Sequence, residues 1–446
     1  MRNLFFVPGG VFDILKKRND IKTVLVMNEI LYKRNESYFK KEASNAVIEI
    51  VESEYKNPPK TILQHIFVFF YSYLVFTETT RLISSKGARA DIVAAGGRSY
   101  LYFLKWLNYI IFGKMRFLKT WFVPRAYFHV FKDRPYKYLF DKYMPDLVFL
   151  PNVAHSPDLE LLAEAKRQKI KTVGMCGSWD HFNKYFVPLR ADILLAWNEP
   201  LKNEALEFEA YKKENIRMVG FPQFDAYLND SLYESREEYL KSKGFPPDCK
   251  IIFFASEGAY SLDGPDIIDM MTKWIENGDL PKNSRIILRF YPGVKTEEEA
   301  YRNFLNHPLV YIDRVDNWSY RENFIAFINT LRNADIIIST YSTISVEAVV
   351  FDRPLININF DGYHNRLPDE SVKRLEYFSH FIHVSGTGAL SNVNSEAELK
   401  SALSLYLASP DTLHREREAL QRKMCFRLDG KSSLRIVEAV LDYLYA

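Results

Sequence analysis

The chain has 446 residues, 47% of them hydrophobic and 26% charged, with a formal net charge of +3. This length suits two ordinary domains and the composition is that of a folded globular protein, while so small a net charge gives no ground for nucleic-acid binding. Three cysteines (Cys176, Cys249, Cys425), odd in number and far apart, argue against a disulfide framework and for a reducing compartment, and the absence of C-x-x-C and H-E-x-x-H spacings leaves no zinc site to expect.

In chain order, Leu4–Val7 reads as a first strand that turns at Gly9-Gly10; it is too short for a signal peptide and lacks a cleavage pattern. Thr23–Met27 reads as the next strand. Ile62 to Phe76 is the longest apolar stretch. It is shorter than the roughly 20 residues a membrane span needs, and Gln64, His65 and Ser72 interrupt it, so a buried or surface-seeking helix is expected. Residues 100–140 are basic and aromatic: Lys105, Lys114, Arg116, Lys119, Arg125 and Lys132 alternate with Trp106, Tyr109, Phe112, Phe117, Trp121 and Phe128. Asp133 is the only acid between Lys105 and Lys137. Such a mixture suits a membrane interface facing anionic lipid; stacking on nucleic-acid bases, or a packed core with its cations in water, are the alternatives.

Strands are predicted at Leu147–Leu150, Thr172–Met175, Ile193–Ala196 and Ile216–Val219, with helices at Pro157–Lys169 and from Pro200 to about Lys213 between them. Strands alternating with helices predict a parallel sheet in a Rossmann-like α/β layer. A polar stretch ending in Gly244-Phe245-Pro246-Pro247 marks a boundary, giving domains 1–235 (with a basic aromatic insert at about 60–140) and 245–446. The second domain repeats the pattern with strands at Ile251–Ala255, Arg285–Phe290, Val310–Ile312, Ile336–Ile338 and Leu355–Ile358, helices at Asp266–Glu276 and Asn323–Arg332, and helix from about Leu399 onward.

Open parallel sheets bind ligands beyond the carboxyl ends of their strands. In the second domain that rule selects Ser256, Glu257, Arg289, Tyr291, Asp313, Asp316 and the Ser342–Glu347 segment. The segment places Ser342, Thr343 and Ser345 just before or at a helix start, where free N–H groups and the positive dipole end favour a phosphate. Glu347, on the first turn, can accept hydrogen bonds from a ribose, and Arg289 can clamp a diphosphate. An ordinary capped helix and an arginine at a sheet edge are the plain alternatives. In the first domain the strand ends carry Gly9, Gly10, Asn152, His155, Ser178, Trp179, Asp180 and His181. His155 titrates near neutrality and can serve as a general base, with Asp180 as its rival; either can equally be a turn or cap residue.

The run from Ala334-Asp335 through Ser342, Thr343 and Glu347 to Pro354 resembles the donor-site signature of GT-B glycosyltransferases, in particular bacterial surface-polysaccharide and CDP-glycerol-transferase-like branches. Arg289-Phe290-Tyr291-Pro292 is similar to that group's Arg-x-His-Pro element, with Tyr291 where His is usual. Ser178-Trp179-Asp180 resembles a Ser-Trp-Asp-Asn element, with His181 in place of Asn. Trp197-Asn198-Glu199 and Gly220 to Asp225 also look like that group, and part of their value is expected to be structural. The resemblance covers most of residues 140–440 in order of elements, whereas residues 30–140 match no named pattern.

The resemblance implies two Rossmann-like domains in a GT-B arrangement, with a C-terminal helix crossing back onto the first. It implies a nucleotide-activated donor held by Arg289, Ser342, Thr343, Ser345 and Glu347, with Ser256 and Glu257 alongside. Asp180 or His155 would take the proton of an acceptor hydroxyl. No metal or other cofactor is expected, because the helix dipole and arginine can stabilise the leaving phosphate. The expected activity is transfer of a sugar from a nucleotide-activated donor to a glycan or lipid-linked acceptor in cell-surface polysaccharide synthesis. The expected location is the cytoplasm, peripheral on the inner face of the plasma membrane through residues 100–140. A CDP-glycerol-type glycerophosphotransferase, a nucleotide-sugar 2-epimerase and a non-catalytic nucleotide-binding protein stand as alternatives.

Overall fold

A computed structural model describes residues 7–42, 46–51, 59–83, 101–291, 297–314, 320–368 and 370–446. The strand expected at Leu4–Val7 (Val7 apart) and Asp316 lie outside these residues. The described strands form three sheets, every pair parallel. The smallest pairs β1 (Val24–Asn28) with β2 (Val47–Val51), the latter not foreseen from sequence. The second runs β3 (Leu147–Leu150), β4 (Lys171–Met175), β5 (Ile193–Ala196), β6 (Ile216–Met218) in chain order.

The third sheet contains β7 (Lys250–Ala255), β8 (Ser284–Arg289), β9 (Val310–Asp313), β10 (Ile336–Ser339), β11 (Leu355–Ile358) and β12 (Ser391–Val393). Their spatial order is β12-β11-β10-β7-β8-β9. This is the doubly wound order, and its direction reverses between β7 and β10.

These strands read as unbroken apolar runs because both faces are covered. Ile252, Phe254, Ile286, Leu288, Ile336 and Ile338 pack with Ile267, Met271 and Trp274 of helix Gly264–Asn277 and with Leu399 and Leu403 of helix Glu396–Ala408. Their neighbours Ile251, Phe253, Ile287 and Ile337 face a second layer that is continuous with the core of the β3–β6 sheet. Each fully buried Ile or Phe contributes roughly 1.5–3 kcal/mol.

The helix expected from Pro200 to Lys213 spans only Glu199–Glu207. The chain turns left-handed at Ala210 (φ 56°), placing Glu209 and Tyr211 in the core, where the Glu209 carboxylate accepts from the Val187 N–H (3.0 Å) and the Tyr211 hydroxyl from the Ala191 N–H (3.2 Å). The apolar stretch at Ile62 is helical over Ile62–Ser72, opened by a capping box of Thr61 and Gln64. Among the described residues no helix is long and apolar enough to cross a membrane. All three cysteines are buried and unpaired.

The last helix, Ser432–Tyr445, packs on the N-terminal half against Val11–Leu15. Asp225 caps it, accepting from the backbone N–H groups of Ser432 (2.9 Å) and Ser433 (2.6 Å). Arg435 donates to the Val219 carbonyl at 2.8 Å, and Lys171 to the Leu444 carbonyl at 3.0 Å. Gly220 makes this approach possible: its φ is +83°, and a Cβ there would sit 2.5 Å from the Ser432 hydroxyl. Gly220→Ala is therefore expected to destabilise the protein by about 2 kcal/mol or more, through left-handed strain and displacement of the helix start. An unchanged urea midpoint would contradict this.

Candidate functional site

The reversal between β7 and β10 opens a cleft of about 360 Å³. Ser256 and Glu257 enter it from the end of β7, Arg289 and Tyr291 from β8, and Ser342, Thr343 and Glu347 from beyond β10. Helix Tyr320–Asn333 closes one wall with Asn323, Phe324 and Phe327, and the N-terminal half adds Val7 and Gln223. Six of the seven residues expected at the donor site thus share one cleft.

Ser345 is the exception, being buried to 1% exposure behind the wall. The reason is helical periodicity. On helix Ile344–Ala348 and its N-cap Thr343, positions 343 and 347 share a face, whereas 345 points to the opposite side, into the core. The turn before this helix is aimed by Tyr341, which adopts a left-handed φ of 48° and donates its N–H to the Asn357 side chain at 2.6 Å.

Burial raises the pKa of three carboxyl groups in and beside the cleft. Burial raises Glu257 to about 8, with a hydrogen bond from Ser342 offsetting part of the effect and the Glu297 charge adding to it. Burial raises Glu347 to about 7 against the lowering influence of Tyr227, Arg289 and Gln223. Glu297 is also raised by burial; it accepts from the Ser256 hydroxyl (2.6 Å) and the Tyr291 N–H (2.5 Å). A cleft of ionised carboxylates would repel a diphosphate; protonated ones can donate to it. Arg289 is already engaged, through an ion pair to Asp313 and a 2.7 Å bond to Asn323, with its guanidinium 4.6 Å over the Phe327 ring. Its fork therefore supplies positive charge to the wall, and it must release both Asp313 and Asn323 to clamp a diphosphate with both arms.

His155 and Asp180 lie outside this cleft, in a polar cluster where the two halves meet. Asp180 is buried; one carboxylate oxygen pairs with Lys184 at 2.6 Å and the other has no hydrogen-bond partner among the described residues. Burial alone would raise its pKa, but Lys184, His380 and His181 outweigh it and hold the carboxyl well below the usual range. His155 packs edge-on against His181 (4.9 Å) and lies 3.4 Å from the Tyr185 hydroxyl. Burial lowers both His181 and His380 to about 4, so both are neutral at pH 7. His380 comes from the C-terminal half, bonded to the Thr79 hydroxyl (2.9 Å) and packed on Trp179 (5.5 Å). Its neighbour Phe381 packs on Tyr341 at 5.1 Å, so the donor-side turn and the histidine cluster share one support.

Tyr227 escaped the sequence reading, and Gln223 entered it only as part of the Gly220–Asp225 motif. Gln223 donates to the Glu347 carboxylate at 3.0 Å, and the Tyr227 hydroxyl bonds the same oxygen. Both sit on one face of helix Gln223–Tyr227 just past β6, so their i, i+4 spacing beyond a strand end was the available signal. The neighbouring motif residues are structural as expected: Trp197 stacks on Phe221 at 3.6 Å, and Asn198 donates to the Met424 carbonyl at 3.1 Å. Away from the cleft, Asp263, Asp266 and His364 bring donor atoms within 4.8 Å of one another, but Arg366 already binds the Asp263 carboxylate.

Known structures share this α/β architecture of two Rossmann-like halves in the GT-B arrangement. The S. aureus MnaA–UDP co-structure aligns with a TM-score of 0.50 at 13% identity, covering 95% of this chain and 97% of that one. A putative UDP-N-acetylglucosamine 2-epimerase from Listeria monocytogenes aligns with a TM-score of 0.49 at 13% identity, over 95% and 97% of the two chains. The wall teichoic acid polymerase TagF (H548A) aligns with a TM-score of 0.42 at 13% identity, over 74% and 98%. At such identities the likeness to MnaA shows the fold alone. No curated protein sequence matches the chain. Residues 179–442, which include all strands of the third sheet, the cleft apart from Val7 and most of the C-terminal helix, match the profile of CDP-Glycerol:Poly(glycerophosphate) glycerophosphotransferases, and the chain belongs to that family of nucleotide-linked transferases.

Proposed function

We propose that this transferase moves a glycerophosphoryl, or closely related polyol-phosphate, group from a cytidine diphosphate-type donor to a hydroxyl of a glycan or lipid-linked acceptor in cell-surface polymer synthesis. The observation that carries this reading is the family match across the strands that build the cleft at the sheet's switch point. In the step, the acceptor oxygen bonds to the phosphorus bearing glycerol, and the bond from that phosphorus to the nucleoside monophosphate breaks. The acceptor proton goes to a base on the enzyme and the monophosphate departs. Ser342 and Thr343 hold phosphate oxygens, while Glu257, raised to about 8 and so largely protonated at pH 7, and Glu347, raised to about 7, hydrogen-bond the donor with less repulsion than ionised carboxylates would give.

His155 is the better proton acceptor. Burial and Lys184 lower the His155 imidazole below its ordinary value, but Asp180 is held well below even the usual carboxylate range and takes up a proton poorly. Asp180 instead keeps Lys184 and the surrounding imidazoles in place. The acceptor meets the enzyme at the inner face of the membrane, through residues 100–140.

Sugar transfer differs in its leaving group. Attack at an anomeric carbon releases a nucleoside diphosphate, whereas attack at the glycerol-bearing phosphorus of CDP-glycerol releases CMP. The test incubates the protein with an acceptor and either CDP-glycerol or a UDP-sugar, with and without a chelator, and identifies the released nucleotide by chromatography. CMP release, undiminished by chelation, is expected. UDP release from a UDP-sugar would replace this reading with the glycosyltransferase one. Nucleotide binding without any turnover would favour the non-catalytic alternative.

A further inference from the structure

We propose that Thr79, Ser379 and His380 are positioning residues: a one-way chain of hydrogen bonds, running from His380 through Thr79 and Ser379 to Asn183 and Glu204, fixes His380 as the tautomer with its proton on Nδ1 and docks the acceptor-side turns on the half that carries the donor. This deepens the reading of the histidine cluster as the acceptor side, and rests on that reading for its effect on turnover.

The contacts cross between the halves. Ser379 and His380 follow β11 in the C-terminal half, and Thr79 lies on helix Glu78–Ile83 of the N-terminal half. Asn183 belongs to the turns that also carry Asp180, His181 and Lys184. Thr79, Asn183, Glu204 and His380 are all buried.

The direction of the chain follows from counting protons and lone pairs. The Asn183 amide donates an N–H to the Glu204 carboxyl group at 2.8 Å, which turns its oxygen toward Ser379. An amide oxygen only accepts, so the single Ser379 hydroxyl proton goes to it, at 2.6 Å. The two lone pairs left on the Ser379 oxygen meet the Thr79 N–H at 3.2 Å and the Thr79 hydroxyl at 3.0 Å. With no proton left to give, Ser379 accepts both, and the Thr79 hydroxyl spends its own proton there. The Thr79 oxygen can then only accept from His380 Nδ1, 2.9 Å away. Burial lowers this imidazole to about 4, so at pH 7 it is neutral and carries one N–H. That proton is therefore on Nδ1, and Nε2 is bare. With the proton on Nε2 instead, Thr79 would have to give its only proton to His380, and the link to Ser379 would be lost inside a buried site.

The fixed ring sets the acceptor side against the donor side. The Asn183 carbonyl accepts from the Thr77 hydroxyl (2.6 Å) and the Lys184 carbonyl from the Thr80 hydroxyl (2.7 Å), so the same helix start also holds the turns by their backbone. The His380 ring packs on Trp179, one residue before Asp180, and on Phe378 at 5.0 Å. The adjacent Phe381 packs on Tyr341, which aims the Ser342–Thr343 turn.

The test is nitrogen-15 NMR of the full chain labelled on its histidine side chains, at pH 7, with the His380 signals identified as those missing from His380→Gln. Wild type should show His380 with a protonated Nδ1 and a bare Nε2. Ser379→Ala removes the acceptor of the Thr79 proton, which can then turn to Nδ1, so His380 should move to the Nε2–H form. Ser379→Thr keeps a hydroxyl and should keep the Nδ1–H form. In the CMP-release assay, Ser379→Ala should lower kcat by about tenfold or more while leaving the KM for CDP-glycerol and the nucleotide-induced melting shift unchanged, and Ser379→Thr should recover most of the loss. Nε2–H on wild-type His380 would overturn the proposal, as would a Ser379→Ala variant that keeps the wild-type kcat. Because the tautomer is read without turnover, a wild type that releases no CMP would count against the glycerophosphate reading and leave the NMR result to decide this one.

Discussion

Glu347→Ala is expected to abolish nucleotide-dependent stabilisation. In wild type, a donor nucleotide at about a hundred times its dissociation constant should add roughly 2.7 kcal/mol, raising the melting temperature by a few degrees. Glu347 is the residue on which the two halves of the cleft converge: Gln223 and Tyr227 reach it from the N-terminal half, while Thr343, on the same helical face, opens to the donor. Removing it also leaves the Tyr227 hydroxyl and the Gln223 amide without their acceptor, at a cost of about 1–3 kcal/mol in the ligand-free protein. The quantity to compare is therefore the nucleotide-induced shift of each variant, measured against CMP, CDP, UDP, GDP and dTDP. Glu347→Gln keeps an acceptor for Tyr227 and should restore the ligand-free melting temperature. A full nucleotide shift in Glu347→Ala would move the donor site away from this cleft.

Stability is expected to fall steadily as pH rises from about 5 to 8, because the buried glutamates outnumber the buried histidines, and to fall again in stronger acid. On the alkaline side, burial raises Glu204, Glu209 and Glu257 to about 8 and Glu347 to about 7. A carboxyl with a raised folded pKa binds its proton more tightly when folded. Its contribution is complete below the unfolded value near 4.5 and is lost as pH rises through about 7–8. On the acid side, His181 and His380 have folded values near 4, below the unfolded 6.5, so their contribution is complete above 6.5 and is lost as pH falls toward 4. Asp180, depressed further, withdraws its share only in stronger acid. Glu209 is the cleanest test, because it is fully buried with one oxygen unpartnered among the described residues. Glu209→Gln should remove on the order of 3 kcal/mol of the loss between pH 5.5 and 8.5, given about 1.4 kcal/mol per pKa unit. Melting temperatures across that range, equal in slope for wild type and variant, would contradict the assignment.

The strands that build the cleft were legible because they are buried on both faces. Ile251–Ala255, Ile336–Ile338 and Leu355–Ile358 carry nothing but apolar or small side chains and one asparagine, and such runs bounded by turn residues have few other solutions. β2 and β12 were not legible. Val-Ile-Glu-Ile-Val carries a charge at its centre and buries only Val51 fully, and Ser-Asn-Val is too short to show a period. The rule that ligands gather past the carboxyl ends of strands found Ser256, Glu257, Arg289, Ser342, Thr343 and Glu347. It misplaced Ser345 because it selects by position along the chain and ignores the side of the helix a residue faces.

The amino-acid sequence alone determined the α/β class, the strands of the two larger sheets apart from β12, and six of the polar residues that line the cleft, since these follow from burial, local periodicity and chain order. Only the tertiary structure decided the contacts made across long separations. Gln223 and Tyr227 meet Glu347 from more than a hundred residues away, His380 joins Asp180, and Arg289 is held by Asp313 and Asn323. Such pairings depend on how sheets and helices pack in three dimensions, and no local pattern in the chain encodes them.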